Sequence, residues 1–525
     1  MVPWYLVLVS GDLLVPGMVY SGTTLIPVSS FEEYLLCGLF VIFLIIISPQ
    51  ISCPKHHIIL FLPRVGSVYE FTVTVIVVMV FVERSFQGTA ASHHRQGFTS
   101  LVAKINGSSI NALRSVGSTT VNEKKTDVGS STTSNDRKEQ FISRSNVVAT
   151  ASHIIHRSPI DIERLVKARV IERDSWSIQG QPGIVDIVKA MWNHAPEMLF
   201  HQIPSQDELN QVFPVLPMDW DKVVNPPLEE IQVTWLGHAS LLVQMNGVNI
   251  LTDPVFSQRC SPFQWLGPKR YRPAPTSLKV LCSQKLKIDL VLISHNHYDH
   301  LDLQSIQDII SYSPEDIQFI VPLGVKAWFR NNIIPHNFVG HGLSPSSLLS
   351  KIHEVDWHEN VDYFGSCPDH PILQITSVPM RHWSNRGSDR DETLWCGYVL
   401  QTKMSDNSDT VPLKFLFPGD TAWFDGLHDI GTRYGPFDVS AIPIGAYEPR
   451  EFMKSTHINV EEAIQMKDAV QAKMAVPIHW GTIDLPLCHE PVMEPREKLL
   501  QFMKGRPDKN SFVPWLIGET KQSKK

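Results

Sequence analysis

The sequence predicts an α/β fold, an αββα sandwich of two mixed sheets with helices outside, preceded by an apolar segment and a disordered linker. Three observations carry that expectation. From about residue 160 onward, short apolar runs of strand length recur, many of them β-branched or aromatic. Helical patterns lie between and after these runs, the element order of layered α/β folds. The stretch before residue 160 shares neither feature.

In chain order, residues 231–245 read as one strand. Asn246-Gly247 behind it is a type I′ hairpin signal, because both central positions of that turn need positive φ. Residues 248–252 are then the returning partner. The almost wholly apolar run 288–294 (IDLVLIS) suits a strand buried on both faces. Further strands are expected at 319–322, 373–378, 394–400, 413–417, 439–444 and 474–478. Residues 303–311 and 459–472 have helical spacing, and Asn459 with Glu462 forms a capping box at the start of the second.

The 525 residues divide into an apolar segment at 1–82, a linker at 83–159 and a folded domain at 160–525. In the first, the longest uncharged run is 34–48, ended by Pro49. It falls short of the ~20 residues that span a bilayer comfortably. A membrane anchor, a targeting segment and an extension absent from the mature enzyme all fit it. If the run spans, Glu32 and Glu33 before it and Lys55 and Arg64 after it place the C-terminal bulk in the cytoplasm. The linker is rich in Ser, Thr, Asn and charge and is expected to be disordered. Its sequon at Asn106 matters only if it faces a lumen. A net charge of −7 argues against a nucleic-acid partner. Seven scattered cysteines form no Cys-x-x-Cys pair, which excludes a disulfide framework and suits a reduced, cytosol-facing compartment.

The chemistry is concentrated in Ser294-His295-Asn296-His297-Tyr298-Asp299-His300, directly behind the 288–293 strand. Residues two apart in an extended chain share a side, so His295 and His297 can grip one metal. Asp299 and His300 come as the chain turns toward a helix and can face a second. Imidazole nitrogen and carboxylate oxygen are suitable zinc donors. A solvated His-rich loop is the bland alternative, but three histidines and an aspartate in six residues behind a buried strand speak against it. Two metals need more donors, and later strand ends offer His382, Asp420 and His479. Singly, each of these is as compatible with a structural role; together, in this order, they form a set.

That pattern of His-x-His-x-Asp-His followed by one His, one Asp and one His resembles the metallo-β-lactamase superfamily. Other stretches narrow the resemblance: Trp235-Leu-Gly-His-Ala239, Leu251-Thr-Asp-Pro254, Gly267-Pro-Lys-Arg270, Arg433-Tyr-Gly-Pro-Phe-Asp438 and Ile442-Pro-Ile-Gly-Ala-Tyr-Glu-Pro-Arg450. They resemble the N-acyl-phosphatidylethanolamine-hydrolysing phospholipases D over roughly residues 204–491. The resemblance implies a metallo-β-lactamase-type sandwich holding two Zn²⁺ per chain. His295, His297 and His382 would hold one, Asp299, His300 and His479 the other, with Asp420 bridging. Asp420, Asp299 and His382 are expected to carry catalysis. It also implies a homodimer on a membrane surface, acting on a membrane phospholipid, with its catalytic domain facing the cytosol on internal membranes. Glu451 and Thr456 depart from the family, which usually has Trp and Gln there, so acyl-chain preference is not carried over.

Tyr298 and His457 are candidate substrate contacts. His238 is either a support for the metal site or a buried structural histidine, and Trp235, Trp328, Trp383 and Trp423 either line a lipid groove or belong to the core. A lactonase or thioesterase on the same metals is the alternative activity, since fold does not decide substrate. A metal-binding scaffold without turnover is a third reading, against which the intact seven-residue set argues.

Overall fold

The computed structural model describes residues 157–176 and 203–523, apart from 284–285, 313–316, 337–343, 366–369, 388, 404–410 and 486–487, together with the backbone of four strands near the N-terminus. The chain forms two compact units, 1–139 and 140–525. In the first, β1 (Trp4–Leu8) pairs antiparallel with β4 (Thr24–Val28), and β2 (Leu13–Val15) with β3 (Met18–Tyr20). The apolar run at 34–48, the linker over 83–156 and the sequon lie outside the described residues. Among the described residues, no helix is long and apolar enough to cross a membrane.

The second unit is the αββα sandwich. Its helices are α1 (Pro159–Ser175), α2 (Gln206–Val212), α3 (Trp220–Val224), α4 (Leu278–Ser283), α5 (Leu303–Tyr312), α6 (Val325–Asn332), α7 (Pro345–Ser350), α8 (Gly426–Tyr434), α9 (Arg450–Met453), α10 (Val460–Ala469) and α11 (Glu494–Met503). The first sheet contains β5 (Gln232–Gly237), β6 (Ser240–Met245), β7 (Val248–Thr252), β9 (Leu290–Leu292), β10 (Gln318–Pro322), β11 (Ile352–Val355) and β19 (Thr520–Gln522). Their spatial order is β11-β10-β9-β7-β6-β5-β19. The second contains β12 (Asn360–Tyr363), β13 (Leu373–Val378), β14 (Gly397–Thr402), β15 (Lys414–Phe417), β16 (Phe437–Pro443) and β17 (Ala472–Ile478), in sequence order. A short ribbon of β8 (Lys269–Arg270) and β18 (Ile483–Asp484) stands apart.

Strand alternation builds the layers. Leu241 and Val243 of β6 join Leu290, Leu292, Tyr398, Leu400, Phe415 and Phe417 in one buried cluster shared by the two sheets. Leu242, between them, belongs with Leu251, Val291 and Phe319 to a second cluster under Ile306 and Ile309 of α5 and Phe329 of α6. Each such buried apolar side chain contributes about 1.5–3 kcal/mol relative to exposure. On the far side of the second sheet, Leu427 and Ile430 of α8 and Val460 and Met466 of α10 close the stack.

Three expected elements need correction. Residues 231–245 are two strands, not one: the chain reverses at His238-Ala239, and Gly237 and His238 both have positive φ (109° and 53°). Gly237-His238 interrupts the apolar residues there, and that pair was the available turn signal. Residues 394–396 are not in a strand. The amides of Leu394 and Cys396 donate to the carbonyls of Leu323 and Ser294 across the sandwich, so the ladder begins only at Gly397. The 459–472 helix ends at Ala469, because Ala472 already opens β17. The Asn246-Gly247 hairpin has the expected positive φ at both positions, with Met245 opposite Val248.

The capping box at α10 forms as expected, with the Asn459 side chain accepting from the Glu462 amide at 2.9 Å. Asn459→Ala is expected to cost about 1 kcal/mol of stability, and Asn459→Ser almost nothing, read from urea unfolding midpoints.

Candidate metal centre

The strand ends of both sheets deliver the donors. The parallel strands β7 and β9 end at Asp253 and at the 294–300 run. β13, β15 and β17 of the second sheet lead to His382, Asp420 and His479. This is the usual placement of sites outside the carboxyl ends of strands. Gly419 lets the two sheets meet here. It has φ +61°, and a Cβ on it would fall 2.4 Å from the Ser294 Cβ.

The structure brings all seven expected donors into one buried cluster. His295 Nε2 lies 2.8 Å from His297 Nδ1, and His382 Nε2 lies 3.2 Å from that same nitrogen. Asp299 Oδ2 lies 3.6 Å from His300 Nε2 and 3.5 Å from His479 Nε2. Asp420 Oδ2 reaches both halves: it is 3.1 Å from His300 Nε2 and His479 Nε2, 3.7 Å from His382 Nε2 and 3.9 Å from His295 Nε2. Donor atoms of His295, His297 and His382 form one compact group, and those of His238, Asp299, His300 and His479 another.

Neighbouring oxygens settle the tautomers. The Thr456 carbonyl only accepts, so His382 donates Nδ1–H to it at 3.0 Å and turns an unprotonated Nε2 inward. Ser294 Oγ donates to Asp253 Oδ2 at 2.6 Å and therefore accepts from His295 Nδ1 at 2.8 Å. His300 Nδ1 pairs with Asp253 Oδ2 at 2.7 Å. Such partners orient metal-binding imidazoles and raise their basicity.

The cluster fits a metal on its own evidence. Buried His300 Nε2, His479 Nε2 and Asp420 Oδ1 have no hydrogen-bond partner, and His297 turns Nδ1 toward His295 and His382. His300 Nε2 and His479 Nε2 sit near Asp420 but out of line for hydrogen bonds to it. The atoms converge on common points rather than on one another. Burial pushes His295 and His382 far below the usual imidazole range and His297 down to about 4, which leaves lone pairs available. Burial alone would raise Asp299 and Asp420, but the surrounding imidazoles, His300 foremost, pull both well below the ordinary carboxylate range. Against burial, which would lower them, Asp420 and Asp299 hold His300 well above the usual imidazole range and His479 up to about 9. A metal there would displace their protons, since unprotonated imidazoles and ionised carboxylates are the forms that bind metal.

His238 supports the site. Its ring nitrogen Nε2 is 3.0 Å from Asp299 Oδ2, and its carbonyl accepts the His479 amide at 3.1 Å. His457 is buried at the centre's edge, its ring 5.2 Å from His382 and 5.3 Å from His479, with Nδ1 unpartnered. Tyr298 is half-buried against Val255, Cys260 and Ile483. Of the tryptophans, Trp383 stacks edgewise on His297 at 4.9 Å, whereas Trp235 is core, stacked on Trp480. Trp328 and Trp423 are half-buried at the margins of the two clusters. The Thr456 hydroxyl turns to the Met453 carbonyl, so only its backbone meets the site. Beside His238 and His479 opens a cleft whose walls include Tyr271, Ala446, Leu485 and Val492.

Two supports were not foreseen. Asp253 ends a strand as the other donors do, and that placement was the available signal. Arg173 of α1 is buried and donates to the His382 carbonyl at 3.2 Å, over more than 200 positions of sequence, which no local pattern could reveal.

Fold and cluster together define a metal-dependent hydrolase of the metallo-β-lactamase superfamily. Residues 248–480 match the model of the beta-lactamase superfamily domain. The chain is 37% identical over 345 residues to N-acyl-phosphatidylethanolamine-hydrolyzing phospholipase D 1 of Caenorhabditis elegans, covering 65% of this chain and 88% of that protein. It is 29% identical over 345 residues to the mitochondrial N-acyl-phosphatidylethanolamine-hydrolyzing phospholipase D of Saccharomyces cerevisiae, covering 65% of this chain and 63% of that one. A solved metallo hydrolase from Ignicoccus hospitalis aligns over 56% of this chain and 98% of its own, at 19% identity and a TM-score of 0.38. The chain belongs to the family of N-acyl-phosphatidylethanolamine-hydrolysing phospholipases D, and it is a metal-dependent hydrolase of phosphodiesters.

Asp253→Ala is expected to lower metal affinity about 10–100-fold, because His300 loses the partner that fixes its ring. Competition against a chromophoric chelator measures this directly.

Proposed function

We propose that this enzyme hydrolyses N-acyl-phosphatidylethanolamine to an N-acylethanolamine and phosphatidic acid, using two zinc ions. The observation that carries the reading is Asp420, whose carboxylate lies between two donor groups of a single buried cluster. Under this reading His295, His297 and His382 hold one ion, Asp299, His300 and His479 the other, and Asp420 touches both. The substrate assignment is supported by the names of the worm and yeast relatives and by the Gly445–Arg450 stretch.

Zinc bound there supplies Lewis acidity toward a phosphoryl oxygen and lowers the pKa of the attacking water. The chain does the rest. Asp420, buried, and Asp299, partly exposed, are held ionised and keep the reacting centre electrostatically organised. His238 holds Asp299, and Arg173 holds the His382 backbone. His457, which burial pushes down to about 3, is neutral and offers the substrate a hydrogen bond without adding charge. Tyr298 packs against Ile483, which lines the cleft. Water adds to phosphorus, the bond to the ethanolamine oxygen breaks, and the proton from water ends on the released alcohol.

We further propose that the enzyme works as a homodimer at a membrane surface, its catalytic unit on the cytosolic side of internal membranes. Trp265 and Leu266, both exposed, suit contact with lipid.

Purified enzyme is expected to release N-acylethanolamine from N-acyl-phosphatidylethanolamine and to leave a lactone and a thioester intact. Chelator should abolish turnover, and elemental analysis should find two zincs per chain. Turnover of the lactone or thioester alone would overturn the substrate assignment. Asp420→Asn is expected to lower turnover by more than about 100-fold, beyond what losing a ligand's orienting partner costs, while thermal unfolding stays cooperative. Wild-type turnover in that variant would remove the bridging role.

A further inference from the structure

The loop after His382 returns to the histidine-rich run and grips it. Arg386 Nη1 donates to the Asn296 carbonyl at 3.0 Å and to the Leu301 carbonyl at 2.7 Å. These two carbonyls bracket residues 297–300, which carry His297, Asp299 and His300. The same guanidinium lies 4.0 Å from the centre of the Tyr298 ring and 5.2 Å from Trp328. Asp389 completes the grip, with one oxygen accepting the Arg386 amide and the other accepting the Asn296 side chain at 3.0 Å. Among the described residues, Arg386 makes no ion pair. Its charge is directed at two carbonyl dipoles and two aromatic faces.

We infer that Arg386 is a positioning residue of the metal centre. It fixes the bend of residues 297–300, so that donors carried by the first sheet stay aimed at donors carried by the second. One nitrogen, Nη1, serves both carbonyls, while the guanidinium lies over the Tyr298 ring. A lysine ammonium is a compact point donor that cannot lie flat on Tyr298 while reaching both carbonyls. The inference rests on the reading of His295–His300 as the metal-binding run. It adds a residue that neither binds metal nor needs to touch substrate.

The test compares full-length wild type, Arg386→Lys and Arg386→Gln. Zn²⁺ affinity is measured by chelator competition, Co²⁺-loaded protein by its visible absorption, and kcat and KM separately. Both variants are expected to lose about 10–100-fold in Zn²⁺ affinity, the range seen when outer partners of ligands are removed. The Co²⁺ spectrum should change shape, and kcat should fall with KM nearly unchanged. Chelator-treated variants should melt close to chelator-treated wild type. Wild-type affinity and spectrum in Arg386→Lys would overturn the inference, as would a rise in KM alone, which would mark a substrate contact instead. If the Arg386 variants do not fold, Asp389→Asn is expected to weaken Zn²⁺ in the same direction, and unchanged affinity there also overturns it. Wild-type protein that binds no Zn²⁺ would overturn the metal reading itself, and this inference with it.

Discussion

Two carboxylates and the lone pairs of several imidazoles converge in one buried volume, and the rest of the site is arranged around that convergence. Removing a carboxylate from water costs several kcal/mol even after relaxation. Asp299 and Asp420 accept that cost among imidazoles, two of which, His295 and His382, have turned their protons outward to Ser294 and Thr456. A cation at the common focus offsets it. Unpartnered nitrogens on His300 and His479 and an unpartnered oxygen on Asp420 mark where that cation is needed.

The geometry survives because the two sheets hold each other's loops. Gly419 packs against Ser294, and the Cys396 amide donates to the Ser294 carbonyl. Arg173 reaches from α1 to the His382 backbone, and Arg386 reaches back from the second sheet to the first. Each ligand-bearing loop therefore owes its shape to an element distant in sequence. A tight site needs this support, because donors displaced by an ångström lose their common focus.

Much of the candidate site is legible in the sequence. All seven expected donors meet, since a ligand at a strand's end keeps both its residue type and its local punctuation in the sequence. Ser294–His300 stood out by density, and His382, Asp420 and His479 by position. Asp253 obeyed the same rule and was overlooked, because one Asp before a Pro also reads as an ordinary turn. The strand break at His238 is marked only by Gly237-His238 between two similar stretches, and the two-sided support that His238 gives to Asp299 and His479 leaves no local mark.

The sequence by itself determined the layered α/β class, the run of strands, the hairpin at Asn246-Gly247 and the donor set. These depend on periodicity, turn chemistry and residue type, all of which are local. Only the tertiary structure decided which nitrogen of each histidine faces inward, that Asp420 touches both donor groups, and that Arg173, Asp253 and Arg386 steady the centre. Those outcomes depend on carbonyls and carboxylates brought together from opposite sheets, and long-range pairing of that kind leaves no periodic trace in a single chain.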